Sequence, residues 1–409
     1  MILLKLALRN LVKRKRQTII LLLAIASGLF GIICMNAMMD GFYALMINTA
    51  VDTNMGSMQI HEKDYLLKRD AKLYMKDPRK IEEVIEKEPH VTGFSPRVLT
   101  LGFVSSAEDS NFAKVYGIDP LLEGTVTIIN EDIVEGKHLE KNDKYKVYMG
   151  KALADKLNVG VGDKVVIMTK DMEGEMSGFS FRIKGLFRTS STDFDKNNVY
   201  MTTNDARKML GLKKGIQEIA IRVDKPENLE ATAASIRSKL NDKNLSVETW
   251  KQLSPVLTES VEMSNQFMWI MYMIVYIALA FGIVNAFLME IFERIREFGI
   301  MMSLGMRPSS IFFMIIYEAL FIGLFGAIIG VVAGIIFLDV ILQNKFDFAL
   351  VGLGKGMSYL GTGSVLPMYI TSKGLLQGFV SIIIAMVIAS IYPAYRASKF
   401  RPVEALRYV

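Results

Sequence analysis

Few residues of this 409-residue sequence have the types and spacing that metal binding or catalysis requires. The segment "HEKDY", His61 to Tyr65, begins like the helix of a zinc protease but lacks a second histidine four residues on, which would complete the two-histidine ligand face. The other two histidines, His90 and His138, have no neighbours at ligand spacing, and the single cysteine, Cys34, lies in an apolar run. The sequence therefore predicts no metal site and no intramolecular disulfide.

Motifs for nucleotide and acyl chemistry are also missing. No phosphate-binding G-x-x-x-x-G-K-[ST] occurs, because "GLGKGMS" at Gly352 to Ser358 has the wrong spacing, and no G-x-S-x-G nucleophile elbow occurs. We therefore expect no catalytic residue and no bound cofactor in this chain. Any energy for work would come from a partner.

The charge pattern favours a membrane over nucleic acid. The formal net charge is +6, and the basic residues concentrate beside apolar runs, as they do in proteins anchored at an anionic membrane surface. Four runs are apolar for long enough to cross a hydrocarbon core, which takes about 20 helical residues. They are Thr18–Met39, Phe267–Met289, Ile311–Leu338 and Gly374–Tyr392.

Lysine and arginine give these spans a direction. Basic clusters precede the first span, separate the second from the third, and follow the fourth, so all three can be cytoplasmic if both termini are. Residues 290–310 then form a cytoplasmic connection and residues 393–409 a cytoplasmic tail. Residues 40–266 and the shorter loop 339–373 lie on the other side of the membrane.

The segment 40–266 is long enough to have a core of its own. It alternates a helix-like stretch, Pro78–Pro89, with strand-like stretches such as Asp163–Thr169 and Glu218–Val223. The predicted fold class is therefore an α-helical membrane protein with four transmembrane helices and a large α+β extracytoplasmic domain inserted between helices 1 and 2.

Glu318 is the one acid well inside a span, about two turns into the third. A carboxylate within a membrane is a functional candidate by default, because burying its charge is costly unless it is paired or protonated. The alternative is that Glu318 lies near the cytoplasmic interface, capped by water or by an arginine such as Arg307, and only orients the helix. The modest depth favours this second interpretation.

A row of glycines follows on the same span. Gly326, Gly330 and Gly334 are spaced by four residues, which strips one helix face to backbone and permits close helix contact. Packing within the protomer and packing between protomers both fit this row.

The first 17 residues, "MILLKLALRNLVKRKRQ", form a basic amphipathic pattern. The pattern predicts a helix lying in the cytoplasmic interface before the chain turns into the membrane. Anchoring to lipid and contact with a cytoplasmic partner are both open for it.

The connection "ERIREFGIMMSLGMRPSSI", Glu293 to Ile311, carries charges and an approximate apolar stripe. Glu290 and Arg294 form an i, i+4 pair, and Gly305 predicts a helix end. The pattern indicates a short helix at the cytoplasmic face. Periodicity alone fits an interfacial helix and a docking helix equally well.

Four stretches across the chain resemble one known family. They are "LALRNLVKRKRQTII" at the start, "GKALADKLNVGVGDKVVI" from Gly150, the connection described above, and "YPAYRASKFRPVEALRY" from Tyr392. The sequence resembles the permease subunits of type VII, or mechanotransmission, ABC transporters of the MacB/FtsX-like family. The flank "MGSMQIHEKDY" after the first span is most similar to the lipoprotein-releasing Lol-type permeases.

The resemblance implies partners and site residues. A permease of this family works with a second permease, identical or different, and with two cytoplasmic ATPase subunits that hold ATP and Mg. The segment matching the connection contacts the ATPase, so the following residues become candidates for coupling or for its geometry: Glu293, Arg294, Arg296, Glu297, Gly299, Gly305 and Met306.

The resemblance also implies a function, which is not enzymatic. A Lol-type permease of the inner, cytoplasmic membrane hands lipoproteins to a periplasmic carrier. Two alternatives remain: an efflux or export permease with a separate ATPase, and an activator of an extracytoplasmic cell-wall hydrolase.

Overall fold

A computed structural model describes residues 2–68, 70–189, 191–344 and 368–400. The chain divides into two compact units. The helical unit comprises Met1–Tyr43, Val261–Phe348 and Val365–Val409, and the β unit comprises Ala44–Ser260 with Ala349–Ser364. Much of the predicted loop 339–373 and the last nine residues of the predicted tail 393–409 lie outside the described residues.

Fourteen helices of the α type occur in the described parts of the chain. In chain order they are α1 (Ile2–Lys13), α2 (Lys15–Ala50), α3 (Tyr65–Lys68), α4 (Arg79–Glu86), α5 (Pro120–Glu123), α6 (Lys151–Lys156), α7 (Thr192–Asn197), α8 (Thr203–Leu210), α9 (Leu229–Leu240), α10 (Trp250–Leu253), α11 (Pro255–Glu293), α12 (Ile295–Ser303), α13 (Pro308–Asn344) and α14 (Ser372–Ser398). A π-helical turn, Val51–Met55, continues α2, and a 3₁₀ turn, Pro226–Asn228, precedes α9.

Ten strands lie in the described sequence between α2 and α11. They are β1 (Met58–Glu62), β2 (Val91–Ser105), β3 (Ser110–Ile118), β4 (Ile133–Gly136), β5 (Lys146–Gly150), β6 (Lys164–Lys170), β7 (Met176–Phe187), β8 (Asn198–Thr202), β9 (Glu218–Val223) and β10 (Leu245–Thr249). The strands predicted at Glu218–Val223 and Asp163–Thr169 are confirmed as β9 and β6.

The four predicted spans fall within α2, α11, α13 and α14. Each is long and apolar enough to cross a membrane, and these are the four such helices among the described residues. Lys15 to Met55, which covers α2 and its π-helical turn, has 41 residues. At 1.5 Å per residue this is about 60 Å, roughly twice the thickness of a hydrocarbon core. The C-terminal end of α2 therefore continues well beyond the predicted span.

The glycine row of α13 packs against α2 of the same chain. A methyl group at Gly330 would come within 2.9 Å of the backbone oxygen of Ala26, and one at Gly326 equally close to the side chain of Ile25. The absence of side chains thus lets the two backbones approach. These contacts lie within the protomer, and packing of the row between protomers stays a prediction.

Six strands of the β unit close into a small barrel. The antiparallel pairs are β2 with β3, β2 with β6, β6 with β7 and β5 with β8, while β3 with β8 and β5 with β7 are parallel. Inward-facing apolar side chains fill the interior, including Val104, Val115, Met149, Ile167 and Phe181. β4 joins the outside of the barrel along β7.

The long strand β2 belongs to two sheets. Its first half, Val91 to Arg97, pairs with β9, which continues through β1 to β10. Its second half, from Val98, pairs with β3 in the barrel. Helices α4 and α9 pack at the open sheet, so the β unit has the α+β character that the sequence predicts.

Candidate functional site

The connection between the second and third long helices is itself helical. α11 ends at Glu293, and α12 begins at Ile295, with Arg294 between them in a non-helical conformation (φ −107°, ψ 4°). α12 ends at Ser303, and Gly305 adopts a positive φ of 93° before α13 begins at Pro308. A residue with a Cβ would be strained there, so glycine permits the tight reversal.

α12 has one buried and one exposed face. Ile295, Phe298 and Gly299 are buried, and Phe298 packs in the same apolar cluster as Ile291 and Met314. The opposite side exposes a set of charged and apolar residues: Glu293, Arg296, Glu297, Ile300 and Leu304. Leu304 is 83% exposed, which is unusual for a large aliphatic side chain beside a packed cluster.

Arg294 is buried, although it begins a charged helix. Its side chain is 2% exposed, and its Nη1 and Nη2 donate to the two carboxylate oxygens of Glu318 at 2.9 and 3.2 Å. Nη1 also donates to Glu290 at 3.1 Å, and the guanidinium lies 4.9 Å from the ring centroid of Phe298. These contacts offset the cost of removing the guanidinium from water.

Glu318 joins three segments of the helical unit. Besides Arg294, its Oε1 accepts a hydrogen bond of 2.6 Å from the Nδ2 of Asn10 on α1. One buried carboxylate therefore fixes α1, the start of α12 and the third long helix to one another. An arginine does pair with Glu318, as one interpretation of the sequence had it, but that arginine is Arg294 and not Arg307, the example considered, which is exposed.

A second set of contacts lies next to this buried cluster, among side chains that are more exposed to solvent. Arg14 forms ion pairs with Glu293 at 3.2 Å and Glu297 at 3.8 Å, and Gln17 donates to Glu293 at 2.7 Å. Exposed ion pairs contribute little stability each. They nevertheless show that the basic amphipathic start of the chain contacts the connection as well as lying next to α13.

The seven residues carried over from the family resemblance fall into two groups. Arg294 and Gly299 are buried, Gly305 makes the reversal, and Met306 packs partly against the cluster, so these four shape the connection. Glu293, Arg296 and Glu297 are exposed and can meet a partner. Reversing the charge of Arg294 would therefore break the fold of the site before it reported on docking.

Sequence reasoning missed Asn10 and Arg14 as members of the site. The i, i+4 spacing of Glu290 and Arg294 did signal their contact. No local pattern signals Asn10, because it reaches Glu318 only after α1 folds back onto α13. Together these residues form what we call the Arg294 cluster: Asn10, Glu290, Arg294, Phe298 and Glu318.

The histidine considered for zinc forms a hydrogen bond with a carboxylate instead. Nε2 of His61 lies 3.3 Å from Glu218 in the β unit, and the segment His61–Glu62 ends strand β1 rather than opening a helix. Among the residues that the structure describes, no group of three His, Cys, Asp or Glu side chains could hold a metal ion.

Two family models match the chain. The model described as the MacB-like periplasmic core domain matches residues 18–239, more than half of the sequence, and the model described as the FtsX-like permease C-terminal region matches residues 269–402. The chain belongs to the MacB/FtsX-like family of ABC transporter permeases. The C-terminal match contains the connection and every member of the Arg294 cluster except Asn10.

Individual relatives agree with this assignment. The permease is 24% identical to the lipoprotein-releasing system transmembrane protein LolC of Neisseria meningitidis serogroup B, over 98% of each chain. It is 29% identical to an uncharacterized ABC transporter permease of Methanocaldococcus jannaschii, over 68% of this chain and 65% of that one. The macrolide export ATP-binding/permease protein MacB of Nitrobacter winogradskyi is 25% identical, over 68% of this chain and 42% of that protein.

Proposed function

We propose that this permease converts ATP hydrolysis by a separate ATPase into motion of its β unit, and that this motion releases lipoproteins from the cytoplasmic membrane to a periplasmic carrier. In this proposal the β unit is the extracytoplasmic domain between the first two spans, and both termini are cytoplasmic. Two ATPase subunits, which bind ATP and Mg, and a second permease, identical or different, complete the transporter.

The Arg294 cluster is the observation that carries the proposal. A force on the exposed face of α12 reaches Arg294, which directly precedes the first turn of that helix. The bidentate contact of Arg294 transmits the force to Glu318 on α13. Because Asn10 binds the same carboxylate, α1 moves with them. The sequence has no nucleotide-binding motif, so a force delivered at this face is the way for outside energy to enter.

The exposed face of α12 gives a direct prediction. Arg296→Glu and Leu304→Asp are each expected to weaken binding of the partner ATPase about tenfold or more, because each replaces a surface suited to docking with one that is repulsive or costly to desolvate. Co-purification of the ATPase and its stimulated hydrolysis rate are the measurements. Both side chains are exposed, so thermal unfolding should change little.

The matched control for that experiment is Lys80→Glu, an equal charge reversal at an exposed position of the β unit. It is expected to leave ATPase binding unchanged. Normal binding by both α12 variants would contradict the docking role of this face.

Lipoprotein release is supported by the relative whose full length matches this chain. The LolC protein of Neisseria meningitidis is named for a lipoprotein-releasing system, and the alignment leaves almost no part of either chain uncovered. Depleting the permease in its own cell is expected to leave lipoproteins in the cytoplasmic membrane, as measured by membrane fractionation. Release of lipoproteins from that membrane at the normal rate after depletion would contradict this function.

An export permease with a separate ATPase is the second candidate. It is favoured by the match of residues 18–239 to the MacB-like core domain. For this function, deletion should raise sensitivity to exported drugs while lipoproteins sort normally. The two depletion phenotypes thus separate the candidates in one strain.

A further inference from the structure

The exposed side of α14 carries one continuous row of large side chains. α14 is one of the four described helices that are long and apolar enough to cross a membrane. Residues spaced by three or four positions lie on the same face of a helix. The side chains with this spacing that are between 45 and 62% exposed are Val380, Ile384, Ile388, Tyr392 and Tyr395. The row therefore changes from aliphatic to aromatic towards the C-terminal end of the helix.

A cation follows each of the two tyrosines after one turn. The guanidinium carbon of Arg396 lies 5.9 Å from the ring centroid of Tyr392, and its Nε donates to the Tyr392 hydroxyl at 3.3 Å. Nζ of Lys399 lies 4.6 Å from the ring centroid of Tyr395. Because a cation is attracted to the face of an aromatic ring, the two rings position these cations, which are neighbours at i, i+3 spacing.

No carboxylate of the described chain neutralises this pair of cations. α14 contains no acidic residue, and neither Arg396 nor Lys399 forms an ion pair with a residue that the structure describes. The contrast within the helical unit is Arg294, whose guanidinium contacts both Glu290 and Glu318. The two cations of α14 are therefore suited to an anion from outside the protein.

The length of the row matches one leaflet of a bilayer. Tyr395 lies 11 residues beyond Ile384, which is about 16 Å along a helix, and half of a hydrocarbon core is about 15 Å thick. Aromatic side chains at the end of a span lie at the level of the lipid headgroups, so Arg396 and Lys399 lie at the level of the phosphates. A water-soluble anion or protein could meet the cations but could not cover Ile384 within the hydrocarbon region.

We propose that this face of α14 binds one anionic phospholipid, with its phosphate at Arg396 and Lys399 and an acyl chain along Ile388 and Ile384. A zwitterionic phospholipid is a poorer ligand, because its ammonium group is repelled by the same two cations. Charge-assisted contacts to the phosphate and burial of methylene groups are the favourable terms. The site goes beyond the proposed function, since it depends on α14 crossing the membrane and not on the ATPase, the carrier or the substrate.

The test uses the full-length permease in nanodiscs of phosphatidylcholine that contain a small fraction of a photoreactive lipid. The probe is phosphatidylglycerol or phosphatidylcholine, with the same diazirine in the acyl chain close to the glycerol. After illumination, mass spectrometry is expected to find about tenfold more cross-links from the phosphatidylglycerol probe on the last two turns of α14. Arg396→Gln with Lys399→Gln should remove this difference, because each cation near an anionic lipid contributes several-fold in affinity.

A second double variant tests whether the rings build the site. Tyr392→Leu with Tyr395→Leu keeps both cations and an apolar surface, and it should reduce phosphatidylglycerol cross-linking several-fold because the cations are no longer positioned. Unchanged cross-linking would reduce the site to a diffuse attraction between charges and would overturn it. Lys373→Gln is the matched control, since it removes an exposed cation at the N-terminal end of the same helix and should change nothing at the C-terminal end.

Equal cross-linking of the native permease by the two probes would also overturn the inference, and this comparison needs no variant. Preferential cross-linking of this face to a second permease or to an ATPase subunit would contradict it as well, because the face would then be a protein interface. All four substituted side chains are exposed, so the variants should remain folded. Unchanged thermal unfolding in lipid-free detergent is the check that a lost cross-link reports on binding.

Discussion

Replacing Arg294 by alanine is expected to lower the free energy of unfolding by about 3–5 kcal/mol, one of the largest effects of any single change in this chain. The substitution leaves Glu318, which is 1% exposed, with Asn10 as its one remaining polar contact of those in the cluster. Glu290 loses the same partner. A buried carboxylate without its cation carries the full cost of desolvation, which is why removing one member exceeds the net value of the pair.

The measurement is thermal or denaturant unfolding of the detergent-solubilised chain, together with ATPase stimulation. Arg296→Ala is the matched control, because that arginine lies two residues away but is exposed, and a change within about 0.5 kcal/mol is expected. The double variant Arg294→Ala with Glu318→Ala should be less destabilised than the sum of the single changes, since it removes both charges. Additive effects would mean that the pair carries no coupling.

This pair also predicts a separation of functions along α12. Changes at Arg294 should lower stability and coupling together, whereas changes at Arg296 or Leu304 should lower ATPase binding alone. A connection that was merely a solvated loop would tolerate both kinds of change. The contrast therefore tests whether the exposed face of α12 binds the ATPase while its buried face is anchored to the rest of the helical unit.

The sequence predicts the parts of this fold that depend on local pattern. The β9 strand is predicted to the residue, because Glu218–Val223 is rich in β-branched residues and bounded by breaks. The four long helices are equally clear, since about 20 apolar residues in a row have few other uses. Gly305 is foreseen as a helix end because its backbone role is local.

Closure of the barrel could not be predicted from local sequence pattern. It depends on β2 pairing with β6 through Gly102 and Thr169, residues far apart in the chain whose neighbours carry no sign of that register. The burial of Arg294 is similar: its spacing with Glu290 is typical of a surface pair, and only the return of α13 and α1 encloses it. The local pattern thus identifies the charged residues of the connection, but only tertiary packing determines which of them are buried and which are exposed to a partner.

The second large effect is expected at Arg97, in a buried ionic network of the β unit. This side chain is 0% exposed and donates two hydrogen bonds to Glu123 on α5, at 2.9 and 2.6 Å. It donates two more, to Glu218 on β9 at 2.6 Å and to the backbone oxygen of Asn54 at 2.7 Å. Arg97 therefore ties the turn that follows α2 to the residue at which β2 passes from one sheet to the other.

Arg97→Leu is expected to lower the free energy of unfolding by about 3–5 kcal/mol at neutral pH, because two carboxylates stay buried without their cation. The contribution of Glu218 to the pH dependence of stability should also change sign. In the native permease, burial raises the pKa of Glu218, but Arg97 and the hydrogen bond from His61 outweigh it, so this pKa lies below its usual value. Glu218 thus contributes stability that is present above its unfolded pKa and is lost as the pH falls through the folded pKa.

Without Arg97 the burial effect is unopposed by that cation, and the pKa of Glu218 should rise above its usual value. At Glu218 the folded variant then binds more protons than the unfolded chain, so the contribution of this residue to stability should increase as the pH is lowered from neutral towards the usual carboxyl range. The melting temperature of the full chain, measured across that range for native and variant protein, compares the two slopes. Lys80→Leu, which removes an exposed cation of the same unit, should leave the native slope unchanged.

Arg97→Lys separates the charge of this residue from its geometry. Lysine keeps the cation and should restore the native sign of the Glu218 contribution, but it cannot make the paired contact with Glu123 and the contact with Asn54 at once. Partial recovery of stability with poor coupling would therefore locate the function of Arg97 in fastening the end of α2. Full recovery of both would reduce its role to charge balance. In the proposed function a force arriving along α2 moves the β unit only if that end is held, so these two outcomes decide whether Arg97 belongs to the proposed transmission path.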